Sequence, residues 1–426
     1  MASSPPSAPR HPSLDRRALI AWPGYKSGLS VDSINRAVVG AIAKPLAHAV
    51  QEPTQIERAL NAEMGLLLPP QSWRNQLPVD HPKRHGAFAG LPVSRPGIEF
   101  DPENRQPAGF LERYAADHLQ SEIDGRATLL TTPCHVLEDE CGAGRRCDLR
   151  LAQLTAEEFR ARRGWTTPGE TEARELYASL IVQGRHVREP GVVDKLVDAY
   201  AGLDVTGYLV IGANYTKSGI QASGYTELAL RLQILTGRPA VIACVGFSQL
   251  AFLASGIAAT WSGLHGMSFS YPPESLTASA ADEMATGADA ASVSDDTDDD
   301  DDKGLGMFVY HRDLLGYVGQ LGADGDPVRV AIFQNRPCRC GFHAPTRPPT
   351  KQSEIIKHNA WCVSADAEEL VSVEVAEAEH RLIAKVDRAT RLREFVRATG
   401  ISTDFLGVIR AARRLRGASS ADEELG

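Results

Sequence analysis

Ala240-Val241-Ile242-Ala243-Cys244-Val245, closed by Gly246, is apolar at every position. A strand with one wet face alternates apolar and polar residues, whereas an unbroken run suits a strand buried on both faces of a parallel sheet. The neighbouring sequence repeats the pattern. Segments 179–183, 207–212 and 259–264 read as further strands, and 192–203, 225–236 and 249–255 lie between them with helical spacing. In the first of these helices Val192, Val193, Leu196, Val197, Tyr200 and Leu203 recur at the helical period, with Asp194, Lys195 and Asp198 opposite. In the second, Gly237 and Pro239 supply a stop. Strands alternating with helices over 179–266 predict βαβ units.

Working outward toward the N-terminus, 18–22, 65–68 and 127–132 read as three earlier strands. Segments 31–51, 56–64, 110–123 and 151–163 carry helical spacing, and 165–169 reads as a turn. Toward the C-terminus, 307–310 is the expected eighth strand, with 328–333 competing for that place. Eight strands with interleaved helices predict an α/β fold, a (β/α)8 TIM-like barrel over 16–336, in preference to an open doubly wound sheet. No Gly-x-Gly-x-x-Gly follows the first strand, and no Gly-x-x-x-x-Gly-Lys-Ser/Thr loop occurs, so no nucleotide cofactor motif is found. Segments 353–362, 367–399 and the basic 404–417 read as helices. Residues 337–426 are therefore a Cys/His-containing segment with a C-terminal helical appendage.

Two stretches fall outside this plan. Residues 1–15 are rich in Pro and Ser and read as a disordered leader. Residues 276–303 are Ala, Ser, Asp and Thr with almost no large apolar side chain, and read as a disordered acidic insertion. That insertion dominates the charge. The chain carries a net −9, and seven aspartates lie within 295–302 alone, so the remaining body is near neutral and charge does not select a nucleic-acid partner. No apolar run approaches the roughly 20 residues of a membrane span, and no signal peptide opens the chain. The seven cysteines are sparse and odd in number. The expectation is a cytoplasmic protein with reduced thiols and no membrane partner.

In a barrel, chemistry gathers where strands end and loops begin. That rule selects Lys26, Arg74, Arg185, Asn214, Tyr215, Lys217, Ser248, His265 and Arg312 as ligand-binding candidates. Arg74, Arg185, Lys217 and Arg312 at one mouth would suit an anionic small molecule or a nucleic-acid backbone. The richest strand end is Pro133-Cys134-His135-Val136-Leu137-Glu138-Asp139. A histidine with two nearby carboxylates can do general acid–base work, which makes His135, Glu138 and Asp139 the catalytic candidates. The competing reading is that Glu138 and Asp139 simply open a helix, where acids favour the dipole. Cys134 reads as a buried hydrophobe rather than a nucleophile. Ser248 lacks a Gly-x-Ser-x-Gly elbow, which disfavours a serine hydrolase.

A second constellation lies further on. Cys338-x-Cys340-x-x-His343 is followed by His358 and, one helical turn later, Cys362. These five side chains compete for the four positions of a structural Zn²⁺.

A barrel followed by Cys-x-Cys and a later helical His358-Asn359 resembles the tRNA-guanine transglycosylases and their DNA-modifying relatives. The resemblance covers roughly the last quarter of the chain plus the barrel topology. It implies zinc held by Cys338, Cys340 and His358, with His343 standing where the family has a third cysteine, and a transferase acting on a nucleobase. The family's Asp-Ser-Gly-Gly loop is absent, so its base-exchange mechanism is not carried over. Two function classes follow: a barrel enzyme acting on an anionic or nucleobase-containing ligand, and a non-catalytic barrel used as a binding or interaction module.

Overall fold

A computed structural model describes residues 17–22, 38–43, 53–61, 64–80, 84–85, 88–95, 97–163, 174–213, 219–243, 248–263, 309–318, 327–396 and 405–423. Eight parallel strands close into a barrel: β1 (Ala18–Trp22), β2 (Val39–Ala43), β3 (Gly65–Leu67), β4 (Leu129–Thr131), β5 (Glu175–Gln183), β6 (Gly207–Ala213), β7 (Ala240–Ala243) and β8 (Ala259–Gly263). Closure is the pairing of β8 back onto β1, from Ala18 opposite Ala259 to Trp22 opposite Gly263. The helices between them are α1 (Pro53–Asn61), α2 (Phe110–Asp124), α3 (Ala143–Arg163), α4 (Val192–Ala201), α5 (Gly219–Thr236) and α6 (Gln249–Ala254).

The side-chain period of two explains why these strands carry no wet face. Ile20, Ala41, Leu67, Leu129, Ile181, Leu209, Ile211, Val241 and Trp261 point inward and form one buried cluster. Their neighbours Leu19, Ile42, Leu66, Leu130, Leu180, Val210 and Ile242 point outward and join the cluster under the helices. Strands β5 and β6 are the longest pair, in register from Tyr177 opposite Gly207 to Gln183 opposite Ala213. Gly207 is needed there, because a Cβ would lie 2.6 Å from the carbonyl oxygen of Pro239 and collide with the Tyr177 ring.

The expected barrel is present, but one of its strands was not expected and one expected strand lies outside it. Strand β2 lies inside 31–51, read as a helix. Val38, Val39, Ala41, Ile42 and Ala43 are all buried, and a five-residue strand flanked by apolar residues can satisfy a helical period by chance. The segment after it, 44–52, lies outside the described residues. The expected eighth strand is corrected too: Val309–His311 forms β9, paired antiparallel with β10 (Gly316–Val318) in a separate two-stranded sheet. The competing segment is helix α7 (Pro327–Asn335). The missed strand and the surplus strand offset each other, so the total of eight came out right. Residues 1–15, 276–303 and the turn at 165–169 fall outside the described residues.

Three further helices, α8 (Gln352–Val371), α9 (Val375–Val396) and α10 (Phe405–Glu423), pack on the barrel's own helices. α10 lies along α5, while α8 and α9 meet α6. The Arg416 guanidinium donates to the Ser255 carbonyl at 2.9 Å, and Arg17 donates to the carbonyls of Leu253 and Val373. Among the described helices none is long and apolar enough to cross a membrane.

Candidate metal centre and barrel mouth

Segment 338–343 is a tight turn built around sulfur. The amide of Cys340 donates to the Cys338 sulfur at 3.3 Å, and the amide of Phe342 to the Cys340 sulfur at 3.5 Å. Gly341 sits at φ +78°, in the left-handed region that lets the turn close. The Cys338 amide, donating to the Pro345 carbonyl at 2.9 Å, fastens its far side.

The His358-Asn359 dipeptide arrives from α8. It grips one residue of β9 by both backbone groups: the Tyr310 amide donates to Asn359 Oδ1 at 2.8 Å, and His358 Nε2 lies 2.6 Å from the Tyr310 carbonyl. The Tyr310 hydroxyl donates to Asp366 Oδ2 at 2.9 Å. Three residues of α8 thus fix β9, and the grip decides the state of the imidazole. A carbonyl only accepts, so His358 Nε2 carries the proton and Nδ1 presents its lone pair.

His343 is locked the same way round its ring. Its Nδ1 lies 2.9 Å from the Ala344 carbonyl and 2.8 Å from that of Arg347, which leaves Nε2 unprotonated. The two free nitrogens, His343 Nε2 and His358 Nδ1, then face each other at 2.9 Å. Two lone pairs at that separation repel unless a cation lies between or beside them. His358 Nδ1 is also 3.5 Å from the Cys338 sulfur and 3.4 Å from that of Cys340. A tetrahedral ion with bonds of about 2.3 Å to sulfur and about 2.0 Å to nitrogen has sulfur–nitrogen edges of about 3.5 Å. Cys338, Cys340, His343 and His358 bring one ligand atom each within 4.8 Å of one another, a group that could hold a metal ion.

Cys362 stands just outside that group. Its sulfur is 3.8 Å from both ring nitrogens of His358, one turn along α8, and it is buried. A hydrogen bond to the Cys338 sulfur, and then burial, pushes the Cys362 thiol well up. Hydrogen bonds from Cys340 and Cys362 hold Cys338 well below the usual thiol range. The same bond to Cys338, reinforced by burial, pushes Cys340 up. Burial works against protonation of His343, but the Cys338 sulfur beside it more than offsets this and raises its pKa.

At the barrel mouth, His135 follows β4 and is fully buried. Its carboxylate partner is Asp148, from the second turn of α3. Nδ1 lies 2.6 Å from Asp148 Oδ1, and the His135 amide donates to Oδ2 at 3.0 Å. The two nearer acids point elsewhere. Glu138 is exposed and pairs with Arg185, and Asp139 accepts the Cys141 amide at 2.8 Å in the turn before α3. Sequence reasoning missed Asp148 because it lies 13 residues away, three to the C-terminal side of the buried Arg145. Arg145 donates to Glu140, to the Ile181 carbonyl at 2.9 Å and to the Tyr200 hydroxyl at 3.1 Å, so α3 is pinned to β5 beside the histidine. His135 Nε2 has no hydrogen-bond partner among the described residues, and the Phe100 and Tyr114 rings flank the imidazole. Burial pushes the Cys134 thiol well up, in keeping with its reading as a hydrophobe.

The other candidates do not gather at this histidine. The Arg74 guanidinium lies 5.7 Å from the Trp73 ring centroid and 5.6 Å from that of Phe88. Ser248 is buried at the start of α6. Arg312 follows β9 rather than a barrel strand and pairs with Asp366 and Glu369. Lys26, Asn214, Tyr215, Lys217 and His265 lie outside the described residues. Trp73, Leu77, Cys134 and Val136, from the loops after β3 and β4, join the inward-facing core and close that side of the mouth with apolar surface.

No family model matches the chain, and no curated protein matches it.

Proposed function

We propose that this chain is a cytoplasmic, transglycosylase-like barrel enzyme that acts on an anionic or nucleobase-containing ligand and carries a structural Zn²⁺ in its C-terminal segment. The observation that carries the reading is the convergence of Cys338, Cys340, His343 and His358 on one point in a chain whose other feature is a closed parallel barrel. That pair of features is what the resemblance rests on. Thiolate and imidazole ligands in tetrahedral proximity suit Zn²⁺ better than the harder Mg²⁺ or Ca²⁺. Four protein ligands leave no open coordination position, so the ion's part is to hold the 338–347 turn against α8 and β9.

Chemistry then belongs to the mouth. With Nδ1 donating to Asp148, His135 offers an unprotonated Nε2, the arrangement of a general base held in one tautomer. The Phe100 and Tyr114 rings lie against the imidazole and hold its plane.

The second reading, a barrel that binds without catalysing, is favoured by the apolar closure over Trp73, Leu77, Cys134 and Val136. One experiment separates the two. The purified protein is incubated with isotope-labelled guanine and either tRNA or duplex DNA, and label retained in the polymer is counted. Incorporation that disappears in His135→Gln, with folding intact, supports the enzyme. Retention of the polymer on the protein without incorporation supports the binding module.

A further inference from the structure

We propose that the cavity beside the metal ligands is a phosphate-binding site. The cavity measures about 470 Å³ and is walled in part by Cys338, His358 and Cys362. That volume lies within the range of small-molecule sites. Its charged lining is unequal: Arg312, Arg336, Arg339, Lys385 and Arg388 against Asp313, Asp366 and Glu369, five cations to three carboxylates.

Two of the cations are already spent. Asp366 accepts from Arg312 Nε and Lys385 Nζ, each at 2.9 Å, and Glu369 pairs with the same two side chains. Asp366 is buried, so this cluster is a fixed part of the wall. The other three, Arg336, Arg339 and Arg388, are exposed. None has a carboxylate within ion-pair distance among the described residues. Arg336 and Arg339 flank Cys338 on the metal-binding turn, and Arg388 comes from α9, so the two elements that meet at the cavity each bring an unneutralised guanidinium.

The ligand class follows from that charge. A single carboxylate satisfies one guanidinium through its paired oxygens. A phosphate brings up to two negative charges and three acceptor oxygens, matching several guanidinia at once. Trp361, also in the wall, supplies an apolar face and a fluorophore within the site. The phosphate could be carried by a small ester or by a nucleic-acid strand, and the probes below tell these apart. The inference does not rest on catalysis by the barrel: phosphate binding in a chain with no exchange activity would leave it standing.

The test uses the full-length protein as purified, at fixed salt. Inorganic phosphate and a 5′-phosphorylated oligodeoxynucleotide are titrated in turn, with binding followed by calorimetry and by tryptophan fluorescence. The comparison variant is Arg336→Gln/Arg339→Gln/Arg388→Gln, and Arg160→Gln/Arg231→Gln on the barrel helices is the control. The expected result is binding of at least one probe by the parent and the control, weakened on the order of a hundredfold in the triple variant with zinc content and thermal midpoint unchanged. Binding of both probes in competition identifies a site for small phosphate esters. Binding of the oligonucleotide alone, with affinity falling as salt rises, identifies a strand backbone. Equal binding by parent and triple variant, or no binding of either probe at millimolar concentration, overturns the proposal.

Discussion

His135 and His358 are both buried imidazoles with one nitrogen tied down, yet they sit in opposite surroundings. At His135 the tie is a carboxylate, Asp148 at 2.6 Å, aromatic rings flank the imidazole, and the free nitrogen has no hydrogen-bond partner among the described residues. At His358 the tie is a carbonyl, Tyr310 at 2.6 Å, and the free nitrogen faces His343, Cys338 and Cys340. The tie sets the tautomer in each case. What lies opposite the remaining lone pair sets the chemistry available: two sulfurs and a second imidazole call for a cation, whereas His135 Nε2 has no partner among the described residues.

If that contrast is right, the two sites should break differently. The largest effect should come from Cys340→Ser. It removes a metal ligand, so zinc should fall from about one per chain to none, because ion binding is folding energy for a site of this kind. Limited proteolysis should then cut within 338–396 before it cuts the barrel. Release of the barrel at the same protease exposure would merge the two regions into one stability unit.

Next in size is Glu140→Ala. It leaves Arg145 buried beside β5 without its main partner, and should cost about 3 kcal/mol in a denaturant titration. Zinc content should not change. A loss of zinc here would mean that the mouth and the metal centre are not independent.

Tyr310→Phe removes one hydrogen bond to Asp366 and should cost about 1 kcal/mol, while the backbone grip of His358 and Asn359 on residue 310 remains. A cost several times larger would make the hydroxyl, rather than the dipeptide, the main fastening of β9.

A smaller effect should depend on pH. Burial alone would raise the Glu369 carboxyl, but Lys385 and Arg312 hold it below its ordinary 4.5. A carboxylate with a depressed folded pKa contributes stability above its unfolded pKa and loses it as pH falls through the folded value. Glu369→Gln should therefore lower stability slightly at neutral pH, by under about 1 kcal/mol, and flatten the acid limb below about pH 4.5, so that parent and variant converge in acid. An unaltered acid limb would show that the pair is screened by solvent. Arg185→Ala should do least, under about 1 kcal/mol, since both it and Glu138 are exposed.

The same contrast explains what was legible in the sequence. Segments 338–343 and 358–362 are short and locally spaced, so their ligand chemistry can be read from residue type and interval alone. The strands from β5 to β8 were equally plain, because two buried faces leave an unbroken apolar run. Strand β2 was hidden because five small apolar residues within 31–51 fit either period. β9 looked like a barrel strand because Val309 and Tyr310 are buried, although against α8 and not against β8. The partner of His135 was not legible at all. Asp148 approaches it only because Arg145 pins α3 to β5, a tertiary fact with no local signature. The unneutralised arginines beside Cys338 were invisible for a similar reason. Their distinction from Arg312 and Lys385 depends on where Asp366 and Glu369 fall on α8.

The central claim is that Cys338, Cys340, His343 and His358 hold one zinc ion. X-ray absorption at the zinc edge on purified full-length protein, with metal content measured on the same sample, tests it most directly. The result expected is about one zinc per chain, with two sulfurs near 2.3 Å and two imidazole nitrogens near 2.0 Å. Protein free of metal, with a thermal midpoint that neither chelator nor added zinc moves, would contradict it.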